Sequence, residues 1–587
     1  MPNTLGMLET ARSGLTAAQL GLNVTSDNVA NANTTGYSRK ALDPVAKSAD
    51  TGQYQIAPTT AAVGQGVSIK SVYQIRNSFL DVNYRAQNAQ YNLYNGMASQ
   101  LTSVEDYFTE ISGSTATTNK LTGLSGQLDS LIGNITNYEN SPTDASISQT
   151  VESGADLLTQ SIRTESTELS NTLNSSIQDL NIIVSGGTGD TSNGANDGGI
   201  NQIISNIQQL NTQISAYESG TGQEASDLRD SRNNLLDQLS GYVDISATEQ
   251  SNGMVSVKLS GSGDYLVDSQ NNANKFALYT DTTTGYTALE WKGVTTDVNG
   301  KDVTGTAGVT TPTGVAKVQG GLVKAYLNVI DGDGSGSDDV ADGKSGSVGL
   351  VYMMQKLESF ASGLYNTFNN AGGAAFDTSS MPTSGTLFLT YAGNTDTNGN
   401  ITAVSPQGDS AGTMTAVTSG TTITGLMKVA SSIRVSDGWS GAPSLFLSNY
   451  TGTSSSAYFQ SYVNALQNKT GTVQTSTLTA VSVDSANAVS YTRSSATYAG
   501  SISSYADTFT TDLASAVSNA STKADWSQTN VENIENERES VSSVSTDDEA
   551  VNIIKYQQAY NANARVITTI DEMLDKLING TGTVGLS

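Results

Sequence analysis

The side chains that most enzymes use for reactivity are missing from this sequence. Its 587 residues include no histidine and no cysteine. Without histidine the chain lacks the commonest general base, and without cysteine it has no thiol nucleophile, disulfide or thiolate metal ligand. Carboxylate pairs such as Asp547 and Asp548 remain, but acidic residues at a helix start are explained by the helix dipole. We predict a chain that is not an enzyme and holds no cofactor.

Basic residues and long apolar runs are also scarce. Lysine and arginine number 28 against 55 aspartates and glutamates, which gives a formal charge of −27. Nucleic acids and anionic membranes bind basic faces, so we predict neither nucleic-acid binding nor membrane insertion. No stretch approaches the roughly 18 apolar residues of a membrane span, and the N-terminus lacks the basic and apolar regions of a secretory signal peptide. Export, if it occurs, is predicted to use another route.

Two hydrophobic heptad seams lie at opposite ends of the chain, and both advance in steps of three and four residues. The first consists of Leu8, Ala11, Leu15, Ala18, Leu22, Thr25, Val29 and Ala32. The second consists of Ile553, Tyr556, Tyr560, Asn563, Ile567, Ile570, Leu574 and Leu577. Small residues alternate in the first seam, so the two helices could pack closely and join the chain ends. Periodicity alone fits equally well with two unrelated amphipathic helices.

The helix that carries the first seam is predicted to be weak on its own. It contains Gly14 and Gly21, each of which costs about 1 kcal/mol relative to alanine inside a helix. The second helix has a stronger start, because Thr546 and Glu549 form a capping-box pattern. A helix that is weak alone but carries a full seam is expected to order when it meets its partners. We therefore predict a polymerising protein whose ends are disordered before assembly.

Helical and β patterns alternate along the rest of the chain. From Ser78 to Ile245 apolar residues recur at helical spacing, and from Val255 they alternate with polar residues as in a strand. Helical spacing returns from Gly320, and a Ser/Thr/Gly-rich, β-like stretch precedes the final helical region. This order predicts a mainly α fold with β insertions. Its N- and C-terminal segments form a discontinuous helical rod, a terminal coiled coil plus a helical bundle, with β-rich domains looped outward.

The same changes of pattern give predicted domain boundaries. The domains are, by residue number, 1–45 with 540–587 (terminal coiled coil), 46–245 with 318–375 and 497–539 (helical rod or bundle), 246–317 (β-rich insertion) and 376–496 (β-rich outer insertion).

Two stretches rich in charged residues resemble functional segments, but a solvated surface explains each of them more simply. Oxygen-bearing side chains recur at the positions of a calcium-binding loop, namely Asp331, Asp333, Ser335, Asp339 and Asp342. An acidic residue replaces the loop's apolar anchor and a short aspartate replaces its final glutamate, so we expect a solvated acidic loop between helices. Residues 227–239 form a helix with mixed charges, which we expect to lie on an ordinary solvated face.

The two ends resemble a known family. Residues 13–19 read Ser-Gly-Leu-Thr-Ala-Ala-Gln, 28–39 read Asn-Val-Ala-Asn-Ala-Asn-Thr-Thr-Gly-Tyr-Ser-Arg, and 556–567 read Tyr-Gln-Gln-Ala-Tyr-Asn-Ala-Asn-Ala-Arg-Val-Ile. They resemble the terminal signatures of bacterial flagellar axial proteins, the rod, hook and hook-associated class. Lys40 stands where these proteins often have glutamine, which we interpret as a neutral change. The family motif falls on Asn28, Asn31, Gly36, Tyr37 and Arg39.

Within this class, three stretches are most similar to the hook-associated members found where hook and filament join: residues 36–39, 228–232 and 545–550. The resemblance implies a structural adaptor between hook and filament that is needed for filament assembly and motility. It also implies a secreted protein, exported unfolded through the flagellar type III channel. Its terminal helices would then build an inner coiled-coil tube at the hook–filament junction.

The resemblance further implies partners: copies of the same chain in a ring, the hook protein, a second hook-associated junction protein on the filament side, and an export chaperone that binds the C-terminal region. The seams are then the predicted assembly interface, buried in the tube and exposed before assembly. Its members are Leu8, Leu15, Leu22, Val29, Ile553, Tyr556, Tyr560, Ile567, Ile570, Leu574 and Leu577.

Two other functions stay open on the sequence. A hook or distal-rod axial protein would share the terminal motifs, although the long helical stretch from Ser78 to Ile245 argues against it. A flagellar surface module with adhesive or glycan-binding β insertions would fit the Ser/Thr/Gly-rich stretches.

Overall fold

The structure is a computed structural model. It describes residues 2–47, 66–110, 123–186, 199–280, 287–306, 309–334, 346–370, 389–390, 413–415, 427, 429–444, 446, 455–467, 472–483 and 488–581. Within these ranges no helix combines the length and the apolar character that crossing a membrane requires.

The helices of the described ranges are numbered in chain order. They are α1 (Pro2–Ala30), α2 (Ser78–Glu110), α3 (Gly123–Asn140), α4 (Ala145–Ser185), α5 (Gly199–Thr221), α6 (Ser226–Tyr242), α7 (Gly321–Asp331), α8 (Leu350–Asn370), α9 (Asp437–Gly441), α10 (Ser455–Gln467), α11 (Ile502–Ser542) and α12 (Thr546–Thr581). We call α1 and α12 the terminal pair, and the part of the chain from α2 to α11 the body.

The strands form four antiparallel sheets within the same ranges. The strands β1 (Lys40–Ala46) and β2 (Val67–Gln74) make a hairpin, in which Lys40 lies opposite Gln74. A five-stranded sheet keeps the sequence order β3 (Ile245–Glu249), β4 (Val255–Leu259), β5 (Tyr265–Val267), β6 (Ala273–Thr280) and β7 (Thr287–Thr296). The outer strands are β8 (Leu389–Thr390), β9 (Thr413–Thr415), β10 (Arg434–Val435), β11 (Thr472–Val483) and β12 (Ala488–Ala499), with β8 paired to β10 and β12 lying between β11 and β9.

The body helices pack around an apolar core. Helices α2 and α11 lie side by side in opposite directions, since Arg538 stacks on Tyr84 and Lys523 on Tyr94. The long helix α4 turns one apolar face inward onto α3, α5, α7 and α8. Helices that are distant in sequence therefore share one core. The predicted fold class, mainly α with β insertions and a discontinuous helical part, is confirmed.

The five-stranded sheet is joined to α5 by two buried asparagines. The Asn201 amide donates to the Phe276 carbonyl and accepts from the Phe276 amide, both at 2.9 Å. Asn211 forms the same two bonds with Val255, at 2.8 and 3.0 Å. Each side chain satisfies a strand's backbone as a neighbouring strand would, so burying these polar groups carries little penalty.

The outer stretch, residues 376–496, was predicted to be β-rich, and within the described residues it has helices as well as strands. It contains the helix α10, in which Phe459, Tyr462 and Leu466 are buried on one face. Their spacing of three and four residues favours a helix even in a Ser/Thr-rich sequence, because the apolar side chains then meet a single core. Strands β8 to β12 supply the β part within the described residues. The predicted domain boundaries stay predictions.

Candidate functional site: the terminal helix pair and its joint with the body

The helices α1 and α12 pack along each other in opposite directions. Gly14 faces Asn563 and Gly21 faces Tyr556, so the numbering falls along α12 as it rises along α1. A Cβ atom on Gly14 would lie 2.8 Å from the Asn563 amide, and one on Gly21 would lie 2.6 Å from the Tyr556 ring. The two glycines that weaken α1 as an isolated helix are thus the holes that admit side chains of α12.

The predicted interface residues divide into three groups. Ile570 is buried, with 1% of its surface exposed, so the expectation that it is exposed before assembly is wrong. The half-buried members are Leu8, Leu15, Leu22, Ile553, Tyr556, Ile567 and Leu574. The exposed members are Val29, Tyr560 and Leu577. A single chain already covers part of both seams because its two ends pair, which corrects the expectation of ends that order only on assembly.

A second apolar stripe on α12 is left uncovered. Its side chains are between 42% and 65% exposed. At 100° per residue they fall within an arc of about 140°, centred roughly a third of a turn away from the seam that faces α1. The stripe consists of Val551, Ile554, Val566, Met573 and Leu577, and the last of these, at the edge of the arc, is also a seam residue. One helix therefore carries one apolar side toward its own chain and another toward solvent.

The start of α12 is tied to the loop before β1 by an ion pair whose acidic member is buried. The Arg39 Nε atom lies 2.7 Å from Oε1 of Glu549, a residue only 2% exposed. The Arg39 amide also donates to the Ser542 carbonyl at 2.9 Å. The capping-box prediction is wrong: Ser545 accepts from the Asp548 amide, and the Glu549 carboxylate turns to Arg39 instead. The bond to Arg39 joins two opposite charges, whereas a capping bond to a backbone amide would involve only one.

The family-motif residues Asn28 and Tyr37 hold the end of α1 against the first residue of β1. The Asn28 amide bonds both backbone groups of Lys40, at 3.0 and 2.9 Å. The single proton of the Tyr37 hydroxyl is shared between two acceptors, Oδ1 of Asn28 at 2.9 Å and the Asp27 carboxylate at 3.2 Å. Burial and the Asp27 carboxylate raise the pKa of Tyr37, so its hydroxyl stays a donor.

Two further motif residues shape the turn that follows α1. The Asn31 side chain donates to the backbone carbonyl and the carboxylate of Asp27, at 3.1 and 3.0 Å. Gly36 has φ +79°, a left-handed conformation that favours glycine. Together they reverse the chain from α1 into β1.

Lys40, interpreted from the sequence as a neutral change, is a bridge between α1 and α6. It is 9% exposed, and its Nζ atom lies 2.7 Å from the Asp27 carboxylate and 2.5 Å from the Asp227 carboxylate. The neutral interpretation overlooked this contact, since a glutamine could not supply the charge to both partners.

The charges of the helix in residues 227–239 are not all on a solvated face, contrary to our expectation. Asp230 is 8% exposed and accepts from the Ser38 hydroxyl at 2.7 Å, while Arg76 lies 3.4 Å away. Arg232 is 1% exposed and donates to the Gly253 carbonyl at 2.6 Å. Burial lowers the pKa of Arg232 to about 10 and raises that of Asp230. Both side chains fasten α6 to its neighbours.

A network of ion pairs that we did not predict continues from this joint into the body. Arg538 of α11 lies 3.1 Å from Asp81 and 2.8 Å from Asp237. Arg76 pairs with Asp81 at 2.9 Å, and Arg85 pairs with Asp237 at 2.7 Å. The network links α2, α6 and α11 beside the loop that carries Arg39. Except for Arg76 and Asp81, the paired residues are far apart in sequence, so no local pattern could have indicated the network as a whole.

The calcium candidate is only partly within the described residues. Asp331 is the last residue of α7 and is 4% exposed, and its Oδ2 atom has no hydrogen-bond partner. Burial raises its pKa, so the expectation of a solvated loop is wrong at this position. Asp333 forms a backbone bridge with Val348, and Ser335, Asp339 and Asp342 lie outside the described residues. In the part of the chain that the structure describes, no three acidic side chains are grouped as metal ligands.

Comparison with family models gives three matches along the chain. Residues 114–388 match the flagellar hook-associated protein FlgK helical domain. Residues 537–580 match the flagellar basal body rod FlgEFG protein C-terminal model, and residues 8–37 match the flagella basal body rod protein model. The last two cover most of α12 and α1.

Two proteins that are similar to this chain have the same name. Flagellar hook-associated protein 1 of Bacillus subtilis strain 168 is 27% identical over 588 residues, covering 100% of both chains. Its namesake from Salmonella typhimurium is 24% identical over 248 residues, which is 42% of this chain and 40% of that one. A solved structure, that of the flagellar hook junction protein FlgK from Burkholderia pseudomallei, covers 78% of this chain and 100% of its own, with 15% identity and a TM-score of 0.47.

Proposed function

Since the chain belongs to the flagellar hook-associated protein 1 family, we propose that it is a structural component of the bacterial flagellum at the junction between hook and filament. The rod-protein matches at the two ends fit an axial protein. The match to the helical domain, residues 114–388, favours this role over that of a hook or rod protein. The role is to join two assemblies and requires no chemistry.

One observation carries the proposal: α12 has an apolar stripe exposed to solvent beside the seam that faces α1. Ile554 is 60% exposed and Val551 65% exposed, on a chain with a net charge of −27. Copies of this chain repel each other through their charge, so a contact between them needs apolar area to offset the repulsion. The stripe supplies that area, and a helix with two apolar sides can bind its own α1 and a neighbouring copy at once.

The remaining partners belong to the same proposal. The hook protein and a second junction protein would meet the two ends of a ring of copies, and the chain would reach that position by secretion through the flagellar channel. An exposed apolar stripe is a liability before assembly. An export chaperone that covers α12 would remove this liability, which supports the C-terminal region as the chaperone's binding site.

The test uses a strain that lacks its own copy of the gene and expresses variants of this chain. Ile554→Asp places a charge on the exposed stripe without touching the seam. Leu157→Asp is the matched control, because Leu157 is 46% exposed on α4 of the body. We expect the Ile554→Asp strain to secrete the protein and to carry hooks without filaments, whereas the control strain swims normally. Electron microscopy of the cells and immunoblots of the medium measure both outcomes.

A melting curve of each purified variant checks that the body is folded. Normal filaments on the Ile554→Asp strain, with secreted and folded protein, would show that the stripe does not hold the junction together.

A further inference from the structure

We propose that Gly14 and Gly21 determine the register in which α1 and α12 pair, and that this register fixes where the exposed stripe of α12 stands relative to the body. The register is a property of the single chain. Its consequence for assembly rests on the proposed function.

The two holes and the two side chains that fill them have the same spacing. Gly14 and Gly21 are one heptad apart on α1, and Asn563 and Tyr556 are one heptad apart on α12. A Cβ atom at Gly21 would lie 2.6 Å from the Tyr556 ring, closer than atoms can approach. Gly6 lies on the same helix, and a Cβ atom there would meet nothing within 4 Å. Of these three glycines, Gly14 and Gly21 lie against side chains of α12, whereas Gly6 does not.

A repeating apolar seam does not fix the register without such features. A slip of one heptad keeps the pattern of apolar residues in contact and moves one helix by about 10 Å along the other. If Tyr556 slipped into the hole at Gly14, Asn563 would come opposite Met7 and Glu549 opposite Gly21. A single polar residue in a seam is known to specify register. Asn563, whose amide donates to the Ala559 carbonyl at 2.9 Å, has that position here.

Two contacts outside the seam require the same register. The Ser13 hydroxyl of α1 accepts from the Val67 amide at 3.1 Å, which holds α1 on the β1–β2 hairpin. Arg39 holds Glu549 at the start of α12. A slip by one heptad would break one contact or the other, because both helices are anchored to the same loop region. The two glycine holes and the two contacts outside the seam therefore specify the same register.

A cysteine cross-link can measure the register because the chain has no cysteine of its own. Ala18 lies between the two holes, and Ala559 lies between Asn563 and Tyr556, so these alanines are level in the observed register. The pair Ala18→Cys with Ala559→Cys reports that register. The pair Ala18→Cys with Asn552→Cys reports a slip of one heptad.

Gly21→Ala is then added to both reporters in the purified chain, with Gly6→Ala as the matched control. Both changes raise helix propensity, but only the first fills a hole. We expect Gly21→Ala to slow the formation of the disulfide between the cysteines at positions 18 and 559 at least about tenfold. A tenfold change corresponds to about 1.4 kcal/mol. Gly6→Ala should leave the rate unchanged. Tyr556→Ala, added to Gly21→Ala, should restore it by removing the ring that the new methyl group meets.

An unchanged disulfide rate in the Gly21→Ala chain would overturn the proposal and leave the junction function untouched. The assembly step is tested separately in cells. Gly21→Ala should give secreted protein but few filaments, and Gly6→Ala should give normal filaments. Normal filaments built from a chain shown to be slipped would overturn the link between register and assembly.

Discussion

The terminal pair and the body are both helical, but different interactions hold them together. The body has a continuous core with large buried side chains such as Phe276, Phe360 and Tyr462, and no residue of α1 or α12 belongs to it. Among the described residues of the terminal pair, Ala11, Ala18 and Ile570 are the buried apolar ones. The pair relies on two glycine holes and on polar bonds at its joint.

This difference separates a part that has a large apolar core of its own from a part whose apolar side chains are mostly half-buried or exposed. Burial of an apolar side chain contributes roughly 1.5 to 3 kcal/mol for a large residue, so a pair with one large buried side chain gains little from its own packing. On the proposed function, the exposed stripe of α12 keeps its apolar area for another chain. We therefore expect the body to stay folded when the contact between α1 and α12 is broken.

The largest expected effect comes from a charge at the one large buried apolar position of the pair. Ile570→Asp buries a carboxylate beside α1 with no partner, which costs about 3 kcal/mol or more. We expect α1 and α12 to separate while the body keeps its melting temperature. Limited proteolysis should then remove both ends first, and circular dichroism should show unchanged melting of the remainder.

Met573→Asp is the matched control for this change, because Met573 lies on the same helix and is 43% exposed. Met573→Asp should leave both ends of the chain protected from the protease. If Ile570→Asp lowered the melting temperature of the body as much as Leu128→Asp, a charge at a fully buried body position, the two regions would not be independent.

A smaller effect is expected at the ion pair that joins the two regions. Arg39→Ala leaves the buried Glu549 carboxylate without its partner, which costs about 2 kcal/mol. Glu549→Gln removes the charge but keeps an oxygen that can accept from Arg39, so it should cost less. Hydrogen exchange of the first backbone amides of α12 measures how often this end of the helix opens. Equal exchange in the two variants and the parent would mean that this bond does not hold the pair to the body.

The body should lose stability as the pH rises, because it buries a carboxyl group. Glu165 on α4 is 3% exposed, and neither of its carboxylate oxygens has a hydrogen-bond partner. Burial raises its pKa well above the usual value. The folded state therefore holds this proton more tightly than the unfolded state. Stability consequently falls as the pH rises from the unfolded pKa of about 4.3 through the folded one.

Glu165→Gln replaces the ionisable carboxyl group by a neutral amide. The variant should therefore match the parent near pH 4 and melt at a higher temperature than the parent at pH 8. Asp129→Asn, at an exposed position of α3, is the control and should follow the parent at both values. A Gln variant that is less stable than the parent at pH 8 would mean that the carboxylate has a compensating partner.

The sequence allowed the general architecture to be predicted, because periodicity is a local signal. The seams, the helical middle and the strand at Val255 all follow from spacing within a few residues. The contacts between the terminal pair and the body could not be predicted in this way. Arg39 and Glu549 are separated by most of the chain, and Arg538 meets Asp81 only after folding. Gly21 was interpreted by its helix propensity, a local quantity, whereas its role depends on the Tyr556 ring of a distant helix. Sequence spacing predicts which face is apolar but not what lies against it.

The smallest expected effect concerns Lys40, which bridges Asp27 on the terminal pair and Asp227 on the body. Its own side chain is buried, but the partner carboxylates are 43% and 80% exposed. Ion pairs with exposed partners are screened by water and salt, and they contribute up to about 1 kcal/mol. Lys40→Gln should therefore destabilise the contact by less than about 1 kcal/mol, whereas Lys40→Met should cost more because it cannot donate to either carboxylate. The difference between parent and Lys40→Gln should shrink when hydrogen exchange is repeated in 1 M salt, since the Debye length there is about 3 Å. A loss comparable to that of Arg39→Ala, insensitive to salt, would mean that Lys40 contributes through packing and that the boundary between the two regions is as tightly built as the body itself.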